Sequence, residues 1–162
     1  MKYKVSGSLK VQARSRVHDT TTTWDKITGE VDADPDAIEA ARATFSVDMT
    51  SFDAGDWLKN RKLRKDFDLE THATATFTLD RVSDVQRDGA KFDATAEGSL
   101  RWRGKTVPLK LGGKGSLDAD RLTASATFEL DIKLLGLQAP KFFIVKMEDV
   151  VTVEVQLTGV KS

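Results

Sequence analysis

The sequence predicts an all-β fold, a single antiparallel eight-stranded barrel with one short helical segment near residues 53–67. Three observations predict it. Polar and apolar residues alternate with period two in five separate stretches, the pattern of strands with one wet face. Turn-forming residues separate most of these stretches. In one place only, the alternation gives way to a mixed three-to-five spacing typical of a helix resting on a surface by one stripe.

Each element can be justified in chain order. Weaker strand signals occupy residues 3–11 and 24–31. Asp34-Pro35-Asp36 then reads as an N-cap with proline at the first helical position, so a short helical turn is expected over residues 37–41. The first clear strand sets Ala41, Ala43, Phe45, Val47 and Met49 opposite Arg42, Thr44, Ser46 and Asp48. Between 53 and 67, Trp57, Leu58, Leu63 and Phe67 stand among Lys59, Arg61, Lys62, Arg64 and Lys65 and form the expected helix. Ala73, Ala75, Phe77 and Leu79 make the next apolar face. After Arg87-Asp88-Gly89 come Phe92, Ala94, Ala96, Gly98, Leu100 and Trp102, and Arg103-Gly104-Lys105 turns the chain into a weaker strand over 107–111. Gly112-Gly113 reads as the end of that strand, and Asp118-Ala119-Asp120 as the turn before Leu122, Ala124, Ala126, Phe128, Leu130 and Ile132. Val151, Val153, Val155 and Leu157 supply the last apolar face. About eight strands close into a barrel whose interior holds side chains or one ligand.

Composition bounds the function. The 162 residues suit one domain, 1–162, without an internal boundary. The 25 basic and 25 acidic side chains cancel, so no net field draws the protein to nucleic acid or an anionic membrane. Without cysteine there is no disulfide, thiol nucleophile or thiolate metal site. The first ten residues alternate polar and apolar instead of forming the apolar core of a secretory signal. A cytoplasmic location is expected for the chain as written, and a periplasmic one if a signal has been removed. No stretch approaches the roughly 20 apolar residues of a membrane span. A homodimer is left open.

The apolar faces are unusual in their small residues. Ala41, Ala43, Ala73, Ala75, Ala94, Ala96, Ala124 and Ala126, with Gly98, lie opposite the charges in four strands. Either Trp24, Phe45, Trp57, Phe77, Trp102, Phe128, Phe142 and Phe143 lean across and fill the interior, or an apolar cavity remains for a ligand. The residues expected to line such a lumen are Trp24, Ala43, Phe45, Val47, Trp57, Leu63, Ala75, Phe77, Ala94, Ala96, Trp102, Ala126, Phe128, Leu130 and Val153.

Polar clusters have plainer readings. His18 and His72 are the only histidines and are distant in sequence; nothing pairs either with a nucleophile and an orienting acid. Asp53, Asp56, Asp66, Asp68 and Glu70 match no calcium loop. Arg101, Trp102, Arg103 and Lys105 resemble a nucleic-acid platform, but strand alternation aims Trp102 away from its arginine neighbours. The basic run from Lys59 to Lys65 is flanked by Asp53, Asp56, Asp66 and Asp68 and reads as a solvated helix face. No catalytic residue, cofactor or metal ligand is assigned.

Several segments together resemble one family. Trp24-Asp25-Lys26-Ile27-Thr28-Gly29-Glu30-Val31 with Asp34-Pro35, and Ser46-Val47-Asp48-Met49 with Ser51-Phe52-Asp53-Ala54-Gly55, are similar to series in the YceI-like family. So are Leu63-Arg64, Leu69-Glu70-Thr71 and Ala75-Thr76-Phe77. The hairpin Gly98-Ser99-Leu100-Arg101-Trp102-Arg103-Gly104-Lys105-Thr106-Val107-Pro108-Leu109 matches best, and residues 128–137 and 151–155 resemble the family's last strands. The sequence departs from the pattern at Lys62, where many members carry histidine, at Glu70-Thr71-His72-Ala73, which lacks the usual Tyr-Pro, and at residues 130–136. The resemblance implies a lipocalin-like barrel that binds or carries a long apolar ligand of polyisoprenoid, quinone or fatty-acyl type without catalysis. The alternatives are a packed, ligand-free, stress-related interaction protein and, third, an enzyme on the same barrel.

Overall fold

The computed structural model describes residues 1–17, 19–137, 141–142 and 145–162. His18 and Phe143 lie outside the described residues, as does the side chain of Phe142. Eight long strands form the barrel: β1 (Lys2–Ala13), β2 (Thr20–Asp34), β3 (Ala37–Asp48), β4 (Thr74–Asp88), β5 (Lys91–Trp102), β6 (Lys105–Leu117), β7 (Arg121–Asp131) and β8 (Val150–Lys161). Each pairs antiparallel with its neighbour in sequence, and β8 returns to β1 to close the ring. One helix, α1 (Trp57–Asp66), and two 3-10 turns, Met49–Ser51 and Ile132–Leu135, lie in the connections. Phe52–Asp53 adds a short pairing to β2, and Lys141–Phe142 pairs with Val145–Lys146.

Closure follows from local chemistry. Arg103 (φ 56°) and Gly104 (φ 72°) both take the left-handed conformation of a two-residue type I′ turn, whose twist matches the strands it joins. At the 118–121 turn the Asp118 carboxylate accepts the N–H groups of Asp120 and Arg121, each at 2.8 Å. Those two bonds hold its carboxyl below the usual carboxylate range, the Asp120 N–H contributing most.

Two expectations are corrected here. Residues 37–41 are strand, not helical turn: Pro35 and Asp36 form a two-residue turn with Asp34 paired to Ala37, and Asp34 Oδ1 accepts the Asp36 N–H at 2.8 Å. A register shift follows between Asp32 and Asp34, so Ile38 and Ala41, three apart, both face inward. That bulge spacing imitates helical spacing. Gly112-Gly113 likewise does not end a strand. Strand β6 continues to Leu117, with Gly113 paired to Ala94 on one side and Ala126 on the other.

Two buried clusters sit at opposite ends of the barrel. At one end, Tyr3 (0% exposed), Val5, Val31, Ala33, Ile38, Leu117 and Leu122 pack together, and the Tyr3 hydroxyl donates to the Asp118 carbonyl at 2.6 Å. At the other, α1 and the 3-10 turns bring Met49, Leu63, Leu69, Ile132, Leu135 and Leu137 over Trp24, Trp102 and Val107. Asp56 caps α1 by accepting the Lys59 N–H at 2.8 Å. No helix among the described residues is long and apolar enough to cross a membrane.

Candidate functional site

Between the two plugs the barrel is hollow. A cavity of about 380 Å³ runs between them, its wall carbon almost throughout. Residues at the plugs are buried, whereas inward residues at the waist, among them Phe45, Phe77, Ala94, Ala96, Ala124, Ala126 and Phe128, keep part of their surface uncovered although they face the interior. The reason is that they face an open lumen instead of other side chains.

The glycines explain why the aromatics do not fill it. A Cβ on Gly29 would lie 2.6 Å from Phe45 Cδ1, and one on Gly98 would lie 2.5 Å from Phe77 Cζ. Each ring therefore lies against the wall over a bare glycine on the adjacent strand. The two rings also stack on each other, centroids 6.5 Å apart and planes 20° from parallel. With the large side chains folded onto the wall and alanines elsewhere, the axis stays empty.

Both inward tryptophans turn their polar edge away from the lumen. Trp24 Nε1 donates to the Met49 carbonyl at 3.2 Å, and Trp102 Nε1 donates to the His72 carbonyl at 2.8 Å. The indole carbons are left facing the cavity. Polar residues at its margin are few: Thr22 and Glu148 near the helix-capped end, and Lys114 and Ser125 on the side of the barrel. Thr20, one alternation from Thr22, buries a hydroxyl that has no hydrogen-bond partner among the described residues.

Of the residues expected to line a lumen, the structure places Trp24, Ala43, Phe45, Val47, Leu63, Ala75, Phe77, Ala94, Ala96, Trp102, Ala126, Phe128, Leu130 and Val153 on the cavity wall. Trp57 is a correction. It is 68% exposed on the outside of α1, as is Leu58 at 54%. The helix buries Leu63 and turns Phe67 toward the cavity, and six residues at 3.6 per turn put Trp57 about 120° away from Leu63. The sequence reading left out Leu9 and Val11 of β1, Leu109 and Leu111 of β6 and the closing residues Leu135 and Leu137. The signal for the four strand residues is the weaker alternation at 3–11 and 107–111; no alternation marks Leu135 or Leu137.

The polar clusters find structural roles. Lys62 pairs with Asp66 at 3.0 Å along α1. Asp53 accepts from the Gly55 N–H and the Asn60 amide, which hold its carboxyl low. Arg101 is exposed while Trp102 is inward, as alternation requires, but the Arg103 guanidinium lies over the Trp102 ring at 5.7 Å. Arg103 is in the turn, outside the strand alternation, and it also donates to the Phe67 carbonyl. Among the described residues there is no group of three or more His, Asp or Glu side chains placed to hold a metal ion.

Comparison with known proteins agrees with this fold. The model of the YceI-like domain matches residues 4–159. BcnA of Burkholderia cenocepacia is similar in structure, with TM-score 0.78, 20% identity, and 94% of this chain and 95% of that one covered. A polyisoprenoid binding domain from Saccharophagus degradans, implicated in plant cell wall breakdown, gives TM-score 0.75 at 14% identity over 99% and 98% of the two chains. The Campylobacter jejuni YCEI protein gives 0.71 at 12% identity over 92% and 89%. No curated protein sequence matches this chain.

Proposed function

Because this chain belongs to the YceI-like family and encloses an apolar lumen, we propose that it binds one long apolar molecule there and carries or stores it without catalysis. The ligand class is polyisoprenoid, quinone or fatty-acyl, and the binding residues are the fourteen inward side chains predicted from the sequence and found on the cavity wall. The observation that carries this reading is the unfilled waist: inward alanines and phenylalanines that still expose surface to a cavity of about 380 Å³.

That volume falls within the ordinary range of small-molecule sites, roughly 300–1,000 Å³. At about 24 cal/mol per Å³, leaving it empty costs on the order of 9 kcal/mol, comparable with the whole stability of a typical domain. Such a void is a poor choice for stability alone and a good one for a guest. The name of the Saccharophagus degradans relative supports a polyisoprenoid. A binding role without chemistry is supported by the wall itself, which is carbon almost throughout.

Tryptophan emission tests the reading. Trp24 and Trp102 border the lumen and Trp57 does not. In Trp57→Phe protein, titration with a polyprenyl alcohol is expected to shift or quench the remaining emission to saturation at one equivalent. No change up to the solubility limit of the alcohol, with quinone and fatty acid equally silent, would favour a barrel without a guest.

A further inference from the structure

With both barrel ends plugged, a guest needs another way in, and one seam of the barrel has the shortest ladder of hydrogen bonds. Strand β6 pairs with β5 through twelve residue pairs, and β7 with β8 through eleven. Between β6 and β7 there are five, from Gly113↔Ala126 to Leu117↔Leu122. Residues 108–112 and 127–131 therefore face each other without pairing, and the two strands form a notch whose apex is Gly113 and Ala126.

Several independent features agree with an open edge there. Pro108 lies in the unpaired part of β6. Counting from the hydrogen-bonded pair Trp102↔Lys105 beside the two-residue turn, the pair Ser99↔Pro108 is a non-hydrogen-bonded one. The proline nitrogen, which has no hydrogen to donate, thus points away from β5 and into the notch, where a ladder would have needed a donor. A Cβ on Gly112 would meet nothing within 4 Å. Leu109 and Leu111 on one lip and Phe128 and Leu130 on the other border the lumen. An outer groove that includes Asp84, Asp93 and Thr127 shares Gly113, Lys114, Ser125 and Ala126 with the lumen, so inside and outside meet at the apex. The 3-10 turn Ile132–Leu135 spans the wide end, where a Cβ on Gly136 would lie 3.5 Å from Lys105 Cε.

We infer that the gap between β6 and β7 is the portal through which the apolar chain enters and leaves the lumen sideways. This rests on the binding reading above and adds its route. A lateral slot suits a long flexible chain, which can be laid in along its length while the plugs and their buried contacts stay in place. Five pairs at the bottom of the seam hold the strands together, and the solvated edges above them can part at little cost.

The absence of cysteine makes the test direct. In Gly112→Cys/Thr127→Cys protein, whose new thiols stand on opposite lips just above the last pair, a disulfide or short bis-maleimide ties the seam shut. Stopped-flow mixing with a fluorescent long-chain fatty acid should show association and dissociation both slowed by roughly tenfold or more, with affinity nearly unchanged and fast exchange restored on reduction of the disulfide. A bridge between cysteines at Ala90 and Ala119, across the opposite plug, should leave both rates as they were. Should the double variant fold poorly, a bulky polymer maleimide on Lys114→Cys is expected to slow exchange in the same way. Unchanged rates in a protein shown by mass to be bridged, with the parent binding the probe normally, would overturn the portal alone. No probe binding by the parent would overturn both the portal and the binding reading.

Discussion

Replacing Ala126 with Leu asks whether the waist is truly unfilled. Ala126 is inward on β7, half-buried, and borders the cavity. The change adds three carbon groups, worth up to about 2 kcal/mol if fully buried at roughly 0.8 kcal/mol per CH₂. A leucine lying against one wall of a lumen covers only part of its surface, so a stabilisation of about 1 kcal/mol is expected in unliganded protein. Ala75→Phe is the contrasting case. Ala75 is 5% exposed and packed into the cluster under α1 with Leu63 and Trp102, and overpacking there is expected to cost about 1–3 kcal/mol. For a chain of this size 1 kcal/mol moves the thermal midpoint by roughly 2–4 °C, well within the precision of a melting curve followed by circular dichroism. Affinity for a fluorescent lipid should fall in Ala126→Leu as stability rises, because the added carbon occupies the guest's place. A midpoint lowered by Ala126→Leu, with probe affinity unchanged, would refute the reasoning.

Further outcomes are expected from other parts of the barrel. Phe45→Asp, Phe77→Asp or Phe128→Asp should destabilise by about 3 kcal/mol or more, since each loses aromatic contact and puts a charge on an apolar wall; Thr127→Asp, on the exposed face of β7, should stay within about 0.5 kcal/mol of the parent in urea titrations. Gly115→Ala should lower the urea midpoint strongly, because its Cβ would fall 1.9 Å from the Thr123 carbonyl oxygen and wedge the five-pair seam open, while Gly112→Ala should be neutral or slightly stabilising. Thr20→Val should be neutral or stabilise by about 1 kcal/mol in the same assay, since the hydroxyl is buried with no partner among the described residues. Asp48, Asp53 and Asp118 are all held below the usual carboxylate range, by Thr50, by Gly55 and Asn60, and by Asp120 and Arg121 respectively. A depressed folded pKa contributes stability above the unfolded value near about 3.9 and loses it as pH falls through the folded one. Acid titrations should therefore show midpoints falling below about pH 4, with a smaller drop in Asp118→Asn.

Strand alternation made most of the barrel legible in the sequence. The inward and outward sets at 41–49, 92–102, 122–132 and 151–157 follow from a period of two that has one physical cause, a wet outside and an apolar inside. What escaped depended on contacts that local patterns do not encode. Ile38 and Ala41 share a face only because of a bulge against β2, and Gly112-Gly113 continue a strand because Ala94 and Ala126 lie on either side. Trp57 shares the mixed three-to-five spacing of Leu63 and Phe67, yet its position relative to Leu63 turns it outward. The lumen itself was undecided between filled and hollow, since the answer lay in Phe45 over Gly29 and Phe77 over Gly98, pairs far apart in the chain. The unpaired notch could not be read at all before the strands were in register, although Pro108 carried a trace of it.

Whether the lumen has a guest is addressed most directly by mass spectrometry of the native protein. Protein isolated from its own cells without detergent, sprayed intact and then extracted with organic solvent, is expected to show a species heavier than the chain by one apolar molecule, which the extract identifies as an isoprenoid, quinone or fatty-acyl lipid. A chain at its bare mass, with a lipid-free extract and no one-to-one adduct after incubation with polyprenyl alcohol, quinone or fatty acid, would contradict the binding reading.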